Sequence, residues 1–112
     1  MIIEAVILKY LKANGINEVY CERPKDLPEE YVLIEKTGSG LSNHINRALV
    51  AIQSISQKSL LAAAKLNEDI KSLMLVMPGT TEVFSVKLNS DYNYTNTQTK
   101  EYRYQAVFEI YF

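Results

Sequence analysis

Of the 112 residues none is tryptophan, one is cysteine and one is histidine. Cys21 has no partner for an intrachain disulfide and sits in an apolar stretch beside Val19 and Tyr20. A reduced, intracellular protein is the expectation. One thiol and one imidazole also fall short of the four ligands that a structural zinc site takes. Proline and glycine are scarce, at three and four residues. There is no repeat, low-complexity segment or linker, so a single domain over 1–112 is expected. No stretch approaches the ~20 apolar residues of a membrane span. The opening Met1-Ile2-Ile3-Glu4-Ala5-Val6-Ile7-Leu8 lacks the basic start of a signal peptide, and Glu4 and Lys9 interrupt it, which predicts cytoplasmic synthesis and no membrane contact. An excess of one charge is also missing, with 12 basic against 13 acidic residues. The basic stripe of a nucleic-acid domain is absent. Lys9 and Lys12 are flanked by Glu4 and Glu18 and read as a solvated helix face.

What is present is apolar residue in regular patterns, 47% of the chain. That is enough to bury a core at this length. Ile3, Val6, Ile7, Tyr10 and Leu11 recur at helical spacing, which predicts a helix over 2–14 closed by Gly15 in a left-handed conformation. A short strand follows at 19–21. Pro24 and Pro28 then make 22–30 a stiff, charged loop. Strands are predicted at 31–36 and 44–56, joined by a flexible turn at Thr37-Gly38-Ser39-Gly40. The segment 48–52 is apolar on both faces, as in a central strand. A helix is expected over 57–77, with Ser56 as its N-cap and Pro78-Gly79 as its stop. Strands at 83–90 and 102–112 flank a polar loop, 91–99. In the last strand Tyr102, Tyr104, Ala106, Phe108, Ile110 and Phe112 alternate with Glu101, Arg103, Gln105 and Glu109. This alternation predicts a half-buried antiparallel strand paired with 83–90. The fold class expected is α+β, a two-layer sandwich of two helices on one face of a mostly antiparallel sheet. Ile7, Leu11, Ile52, Leu60, Ala64, Ile70, Phe84, Phe108 and Ile110 are its expected core.

Chemistry is hard to find in these residues. His44 would need a serine or cysteine nucleophile in reach, and Cys21 is the obvious candidate. Gly38-Ser39-Gly40 precedes a strand and lacks the lysine of a phosphate loop. Asp91 among Asn89, Asn93 and Asn96 offers oxygen ligands for calcium without the spacing of an EF-hand. Eight tyrosines are the unusual feature. Tyr102 and Tyr104 read as sheet cover. Tyr92 and Tyr94 fall in a polar segment, where an interface and simple cover both account for them.

Several stretches resemble the tail-terminator, or tail-to-head joining, proteins of long-tailed bacteriophages. They are Tyr-Val-Leu-Ile-Glu-Lys-Thr-Gly-Ser from Tyr31, Ile52-Gln53-Ser54, and Val86-Lys87-Leu88-Asn89-Ser90-Asp91-Tyr92-Asn93-Tyr94-Thr95-Asn96. Thr99-Lys100 and Tyr102-Arg103-Tyr104-Gln105-Ala106-Val107-Phe108 complete the likeness, which runs over nearly the whole chain. The resemblance implies a non-enzymatic virion protein that needs no cofactor or metal. It would form a ring of identical subunits, expected to be a hexamer, on the tail tube. The ring stops tube growth, meets the head connector or stopper protein, and lets DNA pass without sequence recognition. The resemblance also implies assembly in the host cytoplasm and a final place in the virion tail or neck. Another neck or head-completion adaptor is the nearest alternative; a ligand- or peptide-binding module and a small enzyme using His44 are the others. The expected contacts to neighbouring subunits or tube come from two loops, 38–46 and 91–100, through Ser39, Asn43, Asp91, Tyr92, Asn93, Tyr94, Thr95 and Asn96. Both loops are expected to order on assembly.

Overall fold

The computed structural model describes residues 1–99 and 101–112. Lys100, part of the resemblance and the end of the second expected loop, lies outside the described residues. In chain order the elements are α1 (Ile3–Ala13), β1 (Val19–Tyr20), β2 (Glu30–Ser42), β3 (Ile45–Ser56), α2 (Leu60–Val76), a 3-10 turn (Met77–Gly79), β4 (Ser85–Asn93) and β5 (Tyr102–Tyr111). One five-stranded sheet has the order β1-β2-β3-β5-β4. It is antiparallel throughout except for β1, which runs parallel to β2 through Val19↔Val32 and Tyr20↔Leu33. The expected pairing of the last two strands is present, with Val86 opposite Ile110 and Leu88 opposite Phe108.

Both helices bury their apolar stripes against the same sheet face, giving the α+β architecture expected. Ile3, Ile7, Tyr10 and Leu11 of α1 and Ile70 and Met74 of α2 share one core with Val32, Ile34, Ala48, Val50, Ile52, Ala106, Phe108 and Ile110. Tyr10 sits at the seam of the helices and donates its hydroxyl to the Leu73 carbonyl at 2.6 Å. Burying the Tyr10 ring is favourable because its polar tip finds this acceptor. Gly15 ends α1 at φ 94°, and the Ile16 amide bonds back to the Leu11 carbonyl at 3.0 Å.

Several expectations are corrected. The segment 37–40 is not a turn. It continues β2 past a bulge between Lys36 and Gly38, and the chain reverses at Asn43 and His44 instead. These two residues hold φ 51° and 64°. Positive φ at both central positions is what a two-residue hairpin turn matched to strand twist requires. Residues 91–93 are not loop either. They extend β4 beyond a second bulge, between Leu88 and Ser90. Helix α2 starts three residues later than expected, with Ser59 as the cap, its hydroxyl accepting from the Ala62 amide at 3.0 Å. Ser56 is consumed by β3. Leu60, the first residue of α2, stands 39% exposed, and Ala64 is half-buried beside the stripe. Phe84, the residue before β4, is 68% exposed although its amide already bonds to the Tyr111 carbonyl at 2.8 Å, and Val83 is buried in its place.

Candidate assembly surface

The sheet face opposite the helices carries organised polar chemistry. Residues at odd positions of β3 and β5 point to it, since alternate side chains leave a strand on opposite sides. At one end Tyr31, Ile55 and Glu101 are buried. The Tyr31 hydroxyl donates to Glu101 Oε2 at 2.6 Å, and Arg23, from the proline-stiffened loop, lies 3.0 Å from Oε1. Burial pushes the Glu101 carboxyl up, but the Tyr31 hydroxyl and the Arg23 guanidinium outweigh it and hold the carboxyl below its ordinary value. Burial and the adjacent carboxylate push the Tyr31 phenol up to about 12.

Next along this face, side chains form a ladder across three strands. Arg103 Nη1 donates to Gln53 Oε1 at 3.3 Å, Gln53 Nε2 to Gln105 Oε1 at 2.9 Å, and Gln105 Nε2 to the Tyr92 hydroxyl at 2.5 Å. The Arg103 guanidinium lies 5.6 Å from the centre of the Tyr94 ring. Tyr94 meets Tyr92 edge-to-face with ring centres 6.0 Å apart. Nearer the β2–β3 hairpin, Arg47 Nε donates to Glu109 Oε1 at 2.8 Å, and Tyr111 donates its hydroxyl to the same carboxylate. These two donors hold the Glu109 carboxyl below its ordinary value. Lys87 stands 5.7 Å from the centre of the Tyr111 ring. The hairpin projects beyond this ladder. Leu41 and Ile45 on it are 69% and 41% exposed and border a groove of about 380 Å³ with Gly40, Asn43, Arg47 and Tyr111.

The expected site residues divide into two groups. Asp91, Tyr92 and Asn93 lie on β4 opposite Ala106, Gln105 and Tyr104. Tyr94 follows, its amide bonded to the Arg103 carbonyl at 2.7 Å, and Thr95 Oγ1 accepts from the Arg103 amide at 3.2 Å. Asn96 bridges to Glu101. These six therefore share one edge of the sheet. Ser39, opposite Ala48 on β2, and Asn43, at the hairpin tip, belong to the other side, with β3 and β5 between the two groups. Asp91 is turned to the helices. Its carboxylate takes the Lys71 ammonium at 3.0 Å and the Asn67 amide at 3.1 Å on the helix-bearing face. Asp91 and then Glu68 hold the Lys71 ammonium above its ordinary value. His44 at the hairpin tip and Cys21, beside Leu33 and Gln53, are far apart along β2 and form no nucleophile–base pair.

Sequence reading missed Glu101, assigned to a wet face, and Asn67, a buried polar residue within an apolar stripe. The Glu101 signal was present in the arginine and tyrosine needed to bury it, but neither is near it in sequence. No protein-family model and no curated protein matches the chain. Seven chains of solved structures do. The fold is shared with a virion chain. That chain belongs to the virion of a native gene transfer agent particle and superposes with a TM-score of 0.75 at 13% identity, over 96% of this chain and 92% of its own length. At that identity the likeness is one of fold, carried from end to end.

Proposed function

We propose that this protein is a structural component of a phage-like virion, acting as the ring that caps the tail tube and joins it to the head connector. The observation that carries the virion part is the end-to-end fold shared with the gene transfer agent particle chain. The finer role, tail termination, is supported by the sequence resemblance in Tyr31 to Ser39 and Val86 to Asn96. The surface chemistry is compatible with both. Arg47 and Arg23 are paired with carboxylates and Arg103 is stacked on Tyr94. Cations already engaged in this way grip phosphates weakly, which suits a protein past which DNA slides. The role asks for no cofactor and no reaction.

Removing the gene from a particle-producing host and imaging the products tests this. Over-long tails, or tails of normal length detached from heads, are expected, with complementation restoring joined particles. Intact particles of normal tail length in the deletion strain would overturn the proposal.

A further inference from the structure

Among the described residues the sheet has two uncovered edges. β1 covers β2 only at Val32 and Leu33, so residues 34–42 of β2 carry an open edge, and β4 pairs on one side alone, with β5. Unpaired strand edges are templates for another strand, and proteins that must stay monomeric blunt them with charge. Here the charges on β4 are turned onto the faces and engaged. Lys87 lies over the Tyr111 ring and Asp91 is tied to Lys71.

We infer that the β4 edge of one molecule pairs antiparallel with the open β2 edge of a second copy, so that successive copies build one continuous sheet. Three observations carry this, and the inference gives a physical interface to the ring proposed above, on which it rests. The first is direction. β2, β3, β5 and β4 alternate, so β4 runs opposite to β2. Copies related by rotation therefore meet with strand alternation unbroken. Such a head-to-tail contact closes into a ring or runs on as a filament, unlike a two-fold contact.

The second is curvature. The β4 bulge lies between Leu88, level with Phe108 and Val50, and Ser90. The β2 bulge lies between Lys36, also level with Val50, and Gly38. Both outer strands thus bend at the same height of the sheet. Bulges raise local twist and bend a strand, and they concentrate where sheets curve into closed walls.

The third is charge. Glu35 and Lys87 are exposed on the open face, since their ladders run through Ala51 with Val107 and through Glu109. Lys36 and Asp91 are exposed on the helix-bearing face, in line with Val50 and Ala106. When β4 meets the β2 edge of the next copy without a register shift, Lys87 falls diagonal to Glu35 and Asp91 diagonal to Lys36. Diagonal neighbours on adjacent strands are within reach of long side chains. Opposite charges therefore face each other across the junction on the open face, and on the other face Lys36 comes up beside a carboxylate that Lys71 already holds.

The test uses purified full-length protein, followed by native mass spectrometry over a concentration series, with backbone hydrogen exchange. Wild type is expected to associate as concentration rises, with residues 34–42 and 85–91 gaining at least tenfold protection, since Tyr92 and Asn93 fall level with Leu33 and Val32, which β1 covers. Glu35→Lys and Lys87→Glu should each weaken association about tenfold or more, while the double variant should regain most of it. Circular dichroism of each variant monomer checks that both fold. A protein that stays monomeric up to millimolar concentration, association that leaves both segments unprotected, or a double variant no better than either single one would each overturn the edge pairing. None of these touches incorporation into particles, which the deletion experiment reads independently.

Discussion

The Tyr31 hydroxyl and the Glu101 carboxylate, seventy positions apart in the chain, meet at 2.6 Å under Arg23. This contact locks the start of β2 to the start of β5, although β3 runs between them, and it closes the end of the sheet opposite the hairpin.

Glu101→Gln removes the charge that Arg23 and Tyr31 both serve. A buried hydrogen-bonded group left with unmatched partners costs roughly 1–3 kcal/mol. The pH dependence has a definite sign. The Glu101 carboxyl is held below its ordinary value of 4.5 in the folded protein. Its stabilisation is therefore complete above about that value and is lost as pH falls through the lower folded one. Urea unfolding across the acid range should show wild type losing more stability below pH ~4.5 than Glu101→Gln does. Equal acid sensitivity in the two proteins would remove Glu101 from this role.

Phe108 is fully buried between the helices and the centre of the sheet. Phe108→Ala should cost about 3–5 kcal/mol, the usual range for deleting a core ring. A midpoint shift in denaturant at unchanged slope would report it as a loss of stability rather than a change of folded compactness.

Gly15 has open space where a Cβ would sit, but its φ is 94°. The cost of Gly15→Ala is thus backbone strain alone, about 1–2 kcal/mol. Thermal unfolding of this single variant measures it. A neutral or stabilising change would mean that α1 can end without the left-handed residue.

Tyr92 and Tyr94 anchor the rim of the polar ladder through Gln105 and Arg103. Alanine at either should cost the monomer only about 1 kcal/mol, because both rings are largely exposed. In the assembling system each variant is expected to give over-long or unjoined tails. Normal tail length and normal head attachment in both would take the tyrosines out of the assembly contacts.

Sequence alone determined a great deal where one period ran unbroken. The stripe from Ile3 to Leu11 fixed α1 and its inner face, and the alternation from Tyr102 to Phe112 fixed β5, its orientation and its pairing. These signals are local, because a helix or strand repeats its own geometry every few residues. Tertiary structure decided what happened where that period broke. Gly38, Ser39 and Gly40 look like a turn, yet their backbone pairs with residues 47–49 of β3, so the hairpin runs on to Asn43 and His44. Asp91 to Asn93 look like loop, yet Asp91 finds Lys71 and Asn67, and Tyr92 finds Gln105. Phe84 looks like core, yet it stands exposed just before β4 and Val83 is buried instead. Glu101 sits at a position whose period says water, and it is 4% exposed because Tyr31 and Arg23 meet it there. A polar group enters the interior when partners arrive to satisfy it, and those partners come from distant parts of the chain, so only the folded arrangement could decide.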